Sequence, residues 1–462
     1  MYALLRAIAG IALRWFYRGI DVEGLERIPR SAPIMLAVNH PNALVDALVV
    51  AWVVPRRVIL TAKATIFRNP LLAWFLARAG VVPLVRASDL RSGAMQGPAS
   101  PERNERSFQT LRSVLERGGA MLIFPEGISH DEPALAPLRT GAARIALQAR
   151  DDGGVRNLHI VPIGLTFERK DAPRSRVLVQ VGEPISVDAW QAQQEEHAVQ
   201  ELTDEIDARL RAVTLNYATL DDASRSAALA SLFASVLTDG VPSLGATPPL
   251  RVEVGLARRV DEARELLAQC ADDAMRARAD ALLRRLAELE QSLARHGVAL
   301  DDVAIPTGFS NGARFLVREG WIIALAGPVA VWGQINHWIP FYGARAIALR
   351  SIDSAADPAM RTIVAGAALV LTFYAAQGAL VASVAGTLAA IVYLLSLPLA
   401  ADVNFALRER LARGIRRARA YLLFRRRPRL QARLQEELRH VRAEALEVDA
   451  QLRDTRVARA SV

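Results

Sequence analysis

The sequence predicts an α/β sheet domain followed by an α-helical, membrane-associated region. From Pro33 to about Asn216, short apolar runs alternate with longer amphipathic ones, the pattern of strands separated by helices. Farther on the charges vanish, first between Glu319 and Arg345 and again from Thr362 through Ala401. A hydrophobic content of 52% and a mean hydropathy of +0.17 are high for a fully soluble chain of 462 residues.

The opening stretch, Met1 to Tyr17, is apolar but interrupted by Arg6 and Arg14. No small-residue cleavage site follows at the distance a removable signal peptide needs. An interfacial amphipathic helix over 1–22 suits it, with Trp15, Phe16 and Tyr17 at headgroup level. Within 23–216, strands are expected at 34–38, 57–61, 81–85, 120–124, 159–167 and 176–181. Helices are expected at 44–53, 71–79, 105–117, 141–150 and 189–213. The stretch 217–312, rich in Ala, Arg, Glu and Leu and broken between Pro242 and Pro249, reads as a helical connector with one long helical pattern over 256–296.

Residues 313–402 are expected to embed in a membrane. The stretch 321–343 carries Pro328, Gln334, Asn336, His337 and Pro340, which suits a re-entrant segment. The uncharged run 362–401 is twice the roughly 20 residues that span a bilayer, and Gly378 and Gly386 near its middle favour a helical hairpin. A re-entrant first segment keeps Arg345, Arg350, Arg361 and the tail on the side of the N-terminal domain, which the positive-inside rule makes the cytoplasm. The tail, 403–462, interleaves Arg416, Arg417, Arg419 and Arg425 to Arg427 with Tyr421, Leu422, Leu423 and Phe424, the composition of an anionic-lipid anchor. Its remainder, 430–452, reads as a solvated or self-associating helix.

The formal net charge is +9, and Lys63 and Lys170 are the only lysines. A basic, apolar chain points to anionic lipid headgroups or nucleic acid as partners. No zinc-finger, helix-turn-helix or RNA-binding signature is present, so membrane lipids are the expected partner and no nucleic acid is expected. The bias to arginine also matches a GC-rich genome. Cys270, the single cysteine, excludes an intrachain disulfide and fits a reducing compartment.

Two clusters carry the chemistry. In Asn39-His40-Pro41-Asn42-Ala43-Leu44-Val45-Asp46, a histidine and a carboxylate flank a helix start, with Asn42 as the expected N-cap. Six residues apart on one helix they would diverge by roughly 120°, so His40 must lie on the preceding turn. A neutral imidazole can take the proton of an attacking alcohol near pH 7, and a carboxylate can fix its tautomer and stabilise the imidazolium. The second cluster, Phe124-Pro125-Glu126-Gly127, sets Glu126 where an expected strand ends, and ligands of α/β sheets gather at such ends. The adjacent Ser129-His130-Asp131 is not a catalytic triad, because consecutive side chains do not converge; His130 and Asp131 are expected to be loop residues.

Together these residues resemble the glycerolipid acyltransferase superfamily, the PlsC-type glycerol-3-phosphate and lysophosphatidate acyltransferases. Four blocks match in order over about 15–215. His40 and Asp46 occupy the His-Asp block; Gly80-Val-Val-Pro-Leu-Val-Arg86 the second, whose arginine binds substrate phosphate in the family; Phe124 to Gly127 the Phe-Pro-Glu-Gly block; and Val161-Pro162-Ile163 the closing block. Lys63 matches a family lysine near the phosphate, and Arg139 and Gly141 match the Lys/Arg-x-Gly after the glutamate block. The resemblance implies a mixed sheet flanked by helices. Five residues separate His40 from Asp46, where four is commoner, and this spacing resembles a fungal glycerol-3-phosphate or dihydroxyacetone-phosphate branch with a C-terminal membrane region. Ile128-Ser129 stands where Thr-Arg is frequent.

The function this implies is a membrane-bound O-acyltransferase. It would move an acyl group from acyl-CoA or acyl-carrier protein, as co-substrate, to glycerol 3-phosphate or 1-acylglycerol 3-phosphate. His40 would be the base and Asp46 its orienting carboxylate. Lys63, Arg86 and Arg139 would hold the phosphate, and Glu126 with Gly127 the acceptor hydroxyl. No cofactor or metal is called for, and the expected location is a bacterial inner membrane with the catalytic domain cytoplasmic. The alternatives are a lysophospholipid acyltransferase or transacylase, and a non-catalytic lipid-binding membrane protein.

Overall fold

A computed structural model describes residues 2–64, 67, 70–84, 109–237, 249–268, 273–350 and 358–460. It divides into two compact units, Met1–Ala223 with Ala344–Ala367, and Ser224–Gly343 with Ala368–Val462.

The first unit is built on a mixed sheet. Its strands are β1 (Gly19–Glu23), β2 (Ile34–Val38), β3 (Val58–Ile59), β6 (Ala120–Ile123), β7 (His159–Phe167) and β8 (Arg176–Val181), in the order β1-β8-β7-β2-β6-β3, with β9 (Ile185–Ser186) paired to β7. Strand β2 runs parallel to both neighbours, aligning Ala37 with Ile123 of β6 and with Pro162 of β7, whereas β7 and β8 are antiparallel. Two short strands, β4 (Thr61–Lys63) and β5 (Val82–Leu84), pair separately.

Strand β2 is buried along its whole length, and its side chains alternate between two cores. Ile34, Leu36 and Val38 join Leu13 and Phe16 of α1 (Tyr2–Phe16) and Val45, Val49 and Val50 of α2 (Ala43–Val53). Met35 and Ala37 face Leu111 and Leu115 of α4 (109–116), α5 (Gly141–Asp151) and α6 (Ala198–Val213). Helix α3 (Pro70–Ala79) sits between β4 and β5 in the chain. Burial on both faces explains why β2 reads as an unbroken apolar run. Strand β1 and the two-residue β9 were not visible as sequence patterns.

The N-terminal stretch differs from expectation. Phe16 and Tyr17 are buried in the sheet core rather than set at headgroup level, because 1–22 is part of the α/β unit: β1 pairs with β8, and Arg6 donates to the carbonyls of Trp52 and Val54. The outward face of α1 instead presents Leu4, Ile8 and Ile11.

The second unit is helical. The connector holds α8 (Leu250–Ala268) and α9 (Asp273–His296), following α7 (Leu220–Leu237), which begins in the first unit. Then come α10 (Phe309–Arg350), α11 (Pro358–Ala385), α12 (Thr387–Arg426) and α13 (Pro428–Ala460). The tail helix α13 is neither solvated all round nor self-associating by necessity. Leu434, Val441, Ala445 and Val448 pack on Leu282, Leu286, Leu289 and Leu293 of α9, flanked by the ion pairs Arg278–Glu447 and Arg285–Glu444. The numbering of those pairs rises on one helix as it falls on the other, so α9 and α13 are antiparallel.

Among the described residues, three helices, in α10, α11 and α12, are long and apolar enough to cross a membrane by length and composition. The expected re-entrant stretch 321–343 is instead part of one continuous helix running through Pro328 and Pro340. Each proline forfeits one backbone bond, whereas a full break would strip several groups of partners. The expected hairpin turns at Gly386, whose φ of +86° suits glycine, and Gly378 lies inside α11 against Leu394. Outward residues including Trp321, Leu325, Ile335, Trp338 and Leu395 are exposed, while the polar groups pair inward: Asn336 Oδ1 accepts from Tyr393 Oη at 2.7 Å, and His337 Nε2 meets Tyr374 Oη at 2.7 Å. Cys270 lies outside the described residues.

Candidate functional site

The site follows from the adjacency of β2 and β6. Parallel strands in register release their chains at the same edge, so Asn39-His40 and Phe124 to Gly127 emerge side by side although about 85 residues separate them. Asn39 prolongs the sheet with its side chain: Nδ2 donates to Leu165 O at 3.1 Å, and Leu165 N–H donates to Oδ1 at 2.7 Å.

His40 sits on the turn before α2 and Asp46 one turn inside it, at 7% and 0% exposure. His40 Nδ1 lies 3.0 Å from Asp46 Oδ2. An ionised carboxylate only accepts, so Nδ1 carries the proton and Nε2 the lone pair. The same Oδ2 accepts the Asn42 N–H at 2.7 Å, satisfying a donor at the helix start. Asn42 occupies the N-cap position, but its side chain does not cap α2. It donates to Tyr17 Oη at 3.0 Å and Lys170 O at 3.2 Å, because Asp46 already serves the turn.

The second cluster closes over the first. Phe124 stacks on the His40 imidazole, with ring centroids 3.8 Å apart and planes 12° from parallel. Glu126, 2% exposed, accepts the His40 N–H on Oε1 at 2.7 Å. Its Oε2 accepts the Ala136 N–H at 2.8 Å and faces His130 Nε2. Both carboxylate oxygens thus accept donors from the chain itself, whereas the sequence assigned Glu126 to a substrate hydroxyl. Gly127 has a φ of +74°, which lets the chain reverse after Glu126. Arg139 N–H donates to Pro125 O at 2.7 Å and its side chain is exposed, its Cγ passing beside Gly127. Lys63 ends β4, in register with Leu84; Arg86 lies outside the described residues.

The loop carrying Lys170 is closed at its base by Glu168 and Arg176, whose side chains meet at 3.1 Å. Burial pushes the Glu168 carboxyl up, but the hydrogen bonds and charge of Arg176 outweigh it and hold the group below the ordinary glutamate range.

Sequence reasoning therefore named His40, Asp46 and Glu126, which the fold brings together, and gave no site role to Asn39, Phe124, Ser129, His130 and Lys170. Phe124 lies inside a block already singled out, and an aromatic just before the turn was the available signal. The contacts of Asn39, Ser129 and Lys170 join segments far apart in the chain, whereas His130 meets Glu126 four residues away across the turn at Gly127.

Residues 19–166 match the family model described as acyltransferase. An uncharacterized acyltransferase of Schizosaccharomyces pombe is 24% identical over 46% of this chain and 44% of its own length. A glycerol-3-phosphate O-acyltransferase of Saccharomyces cerevisiae is 40% identical over 18% of this chain and 11% of its own, and a 1-acyl-sn-glycerol-3-phosphate acyltransferase of Cocos nucifera is 28% identical over 42% and 58%. The chain spans less than two thirds of the length of these curated relatives. Over 19–166, less than half of its length, this chain is similar to the acyltransferase family.

Proposed function

We propose that the protein is a membrane-bound O-acyltransferase that moves a fatty acyl group from a thioester to the hydroxyl of glycerol 3-phosphate or 1-acylglycerol 3-phosphate. The observation that supports this best is the buried His40–Asp46 pair at the edge where β2 and β6 end. In this reading His40 Nε2 takes the acceptor's hydroxyl proton as the oxygen attacks the thioester carbonyl. Collapse of the tetrahedral intermediate breaks the C–S bond, and the imidazolium returns the proton to the departing thiolate. Asp46 steadies the imidazolium between these steps. Lys63, Arg86 and Arg139 are the cations proposed to neutralise the acceptor's phosphate. Glu126 is assigned first to the His40 turn, since its oxygens already accept His40 and Ala136 N–H groups.

Support for this choice of acceptors comes from the names of relatives, which include both glycerol 3-phosphate and its 1-acyl derivative. The membrane reading rests on the three long apolar helices and their exposed Trp, Leu and Ile side chains, a surface that water would not favour. We place the α/β unit at the cytoplasmic face of a bacterial inner membrane, where juxtamembrane arginines meet anionic headgroups.

The test is the purified full chain with radiolabelled palmitoyl-CoA, offered glycerol 3-phosphate, 1-acylglycerol 3-phosphate or a lysophospholipid lacking a phosphate monoester. Transfer to one of the first two, abolished in His40→Ala, is the expected outcome. Undiminished transfer by His40→Ala sinks the mechanism, and turnover of the third acceptor alone selects the lysophospholipid reading.

A further inference from the structure

Ser129, His130 and Asp131 follow the Phe-Pro-Glu-Gly turn and have no place in the proton transfer described above. Three consecutive side chains cannot converge on one atom, and these diverge. Each reaches, directly or through one intermediary, a different backbone group of the four-residue turn His40-Pro41-Asn42-Ala43.

Ser129 Oγ accepts the Ala43 N–H at 3.0 Å. Ala43 has a φ of +45°, a conformation that non-glycine residues rarely adopt, so the turn there is strained and needs an outside partner. His130 Nδ1 accepts the Glu132 N–H at 3.2 Å, which leaves the proton on Nε2, and Nε2 points at Glu126 Oε2. The other oxygen of Glu126 holds the His40 N–H at 2.7 Å. Asp131 pairs with Lys170 Nζ, which donates to Pro41 O at 3.0 Å. Four consecutive residues are thus held at three of their backbone groups, while Asp46 holds a fourth, the Asn42 N–H.

We propose that Ser129-His130-Asp131 is a positioning clasp that fixes the His40 turn so that the imidazole, held at Nδ1 by Asp46, presents Nε2 to the reacting hydroxyl. This rests on His40 being the base. The clasp touches neither substrate nor the reacting atoms. Its strength is uneven. The His130–Glu126 arm is mostly buried and so escapes competition from water, whereas the Asp131 carboxylate is 79% exposed and its pair with Lys170 is a weak surface contact. Because near-attack geometry tolerates little displacement, loosening the turn acts on the chemical step more than on binding.

The experiment uses the full chain in lipid nanodiscs, with radiolabelled palmitoyl-CoA and whichever of glycerol 3-phosphate or 1-acylglycerol 3-phosphate it acylates. His130→Ala is expected to lower kcat by about 10–100-fold with KM for the acceptor little changed. His130→Gln, whose amide can still donate to Glu126, is expected to restore most of that loss. Ser129→Ala should lower kcat less, and Asp131→Asn least. Thermal melting of each variant separates a displaced turn from a failure to fold: a kcat loss that follows the melting temperature and is not rescued by His130→Gln overturns the clasp. A rise in KM with kcat unchanged also overturns it, by showing that His130 contacts substrate. His40→Ala runs alongside. If it is inactive while His130→Ala is fully active, the clasp alone fails; if it is itself active, the base assignment fails and the clasp with it.

Discussion

His40 is held at its ring nitrogen by Asp46, at its ring face by Phe124 and at its backbone N–H by Glu126, so its position is over-determined. Asp46→Asn keeps nearly the same shape but can donate where the aspartate only accepts, which turns the imidazole to the wrong tautomer. We expect kcat to fall by roughly 10³–10⁴ with the fold retained, by analogy with orienting aspartates elsewhere; a steady-state assay beside a melting curve checks both halves. The Glu168–Arg176 pair makes a second prediction. A carboxyl held below its ordinary range contributes stability that is complete above that range and is lost as pH falls through the folded-state value. Melting temperatures of the wild type and Glu168→Gln should therefore converge on acidification below about pH 4, and curves that stay parallel would contradict the assignment. Residue types and spacing made His40, Asp46 and Glu126 legible in the sequence. Nothing in the order of residues told that Glu126 would turn both oxygens inward, or that Lys170 would reach Pro41, since these depend on which strands become neighbours.

At the scale of elements, the decisive fact is that β2 lies between β6 and β7, parallel to both. The apolar runs of β2, β7 and β8 were readable to the residue, and α2, α3 and α5 to within one. Shorter pieces were less legible: the strand expected at 57–61 is the two-residue β3 followed by β4, and the two-residue β9 carries no period of its own. The pairing of α9 with α13 is likewise a tertiary event. Each helix shows an apolar stripe, but a stripe does not name its partner. Leu286, 1% exposed between these helices, is their keystone. Leu286→Ala should destabilise the pair by about 2–5 kcal/mol, read as earlier proteolysis within α9 and α13. Unchanged protection would mean that the two helices do not pack as described.

For the whole molecule, the two units differ in character: one holds 19–166, the stretch that matches the acyltransferase family model, and the other holds most of the long apolar helices. Three such helices, bearing exposed Trp, Leu and Ile, should keep the protein in the membrane pellet through high salt and alkaline carbonate and release it only into detergent. Release by carbonate alone would instead mark a peripheral protein. By itself, the sequence determined the class of the fold, the resemblance to acyltransferases, the membrane-length stretches and the pair His40 and Asp46, because these depend on local periodicity, hydropathy and spacing. Only the tertiary structure decided that α1 ends inside the sheet core, that the tail folds back on α9, and that Glu126, Ser129, His130 and Lys170 gather around the His40 turn. Those outcomes depend on long-range pairing of strands and helices, whose choice of partner is made by packing and by the need to satisfy every buried polar group.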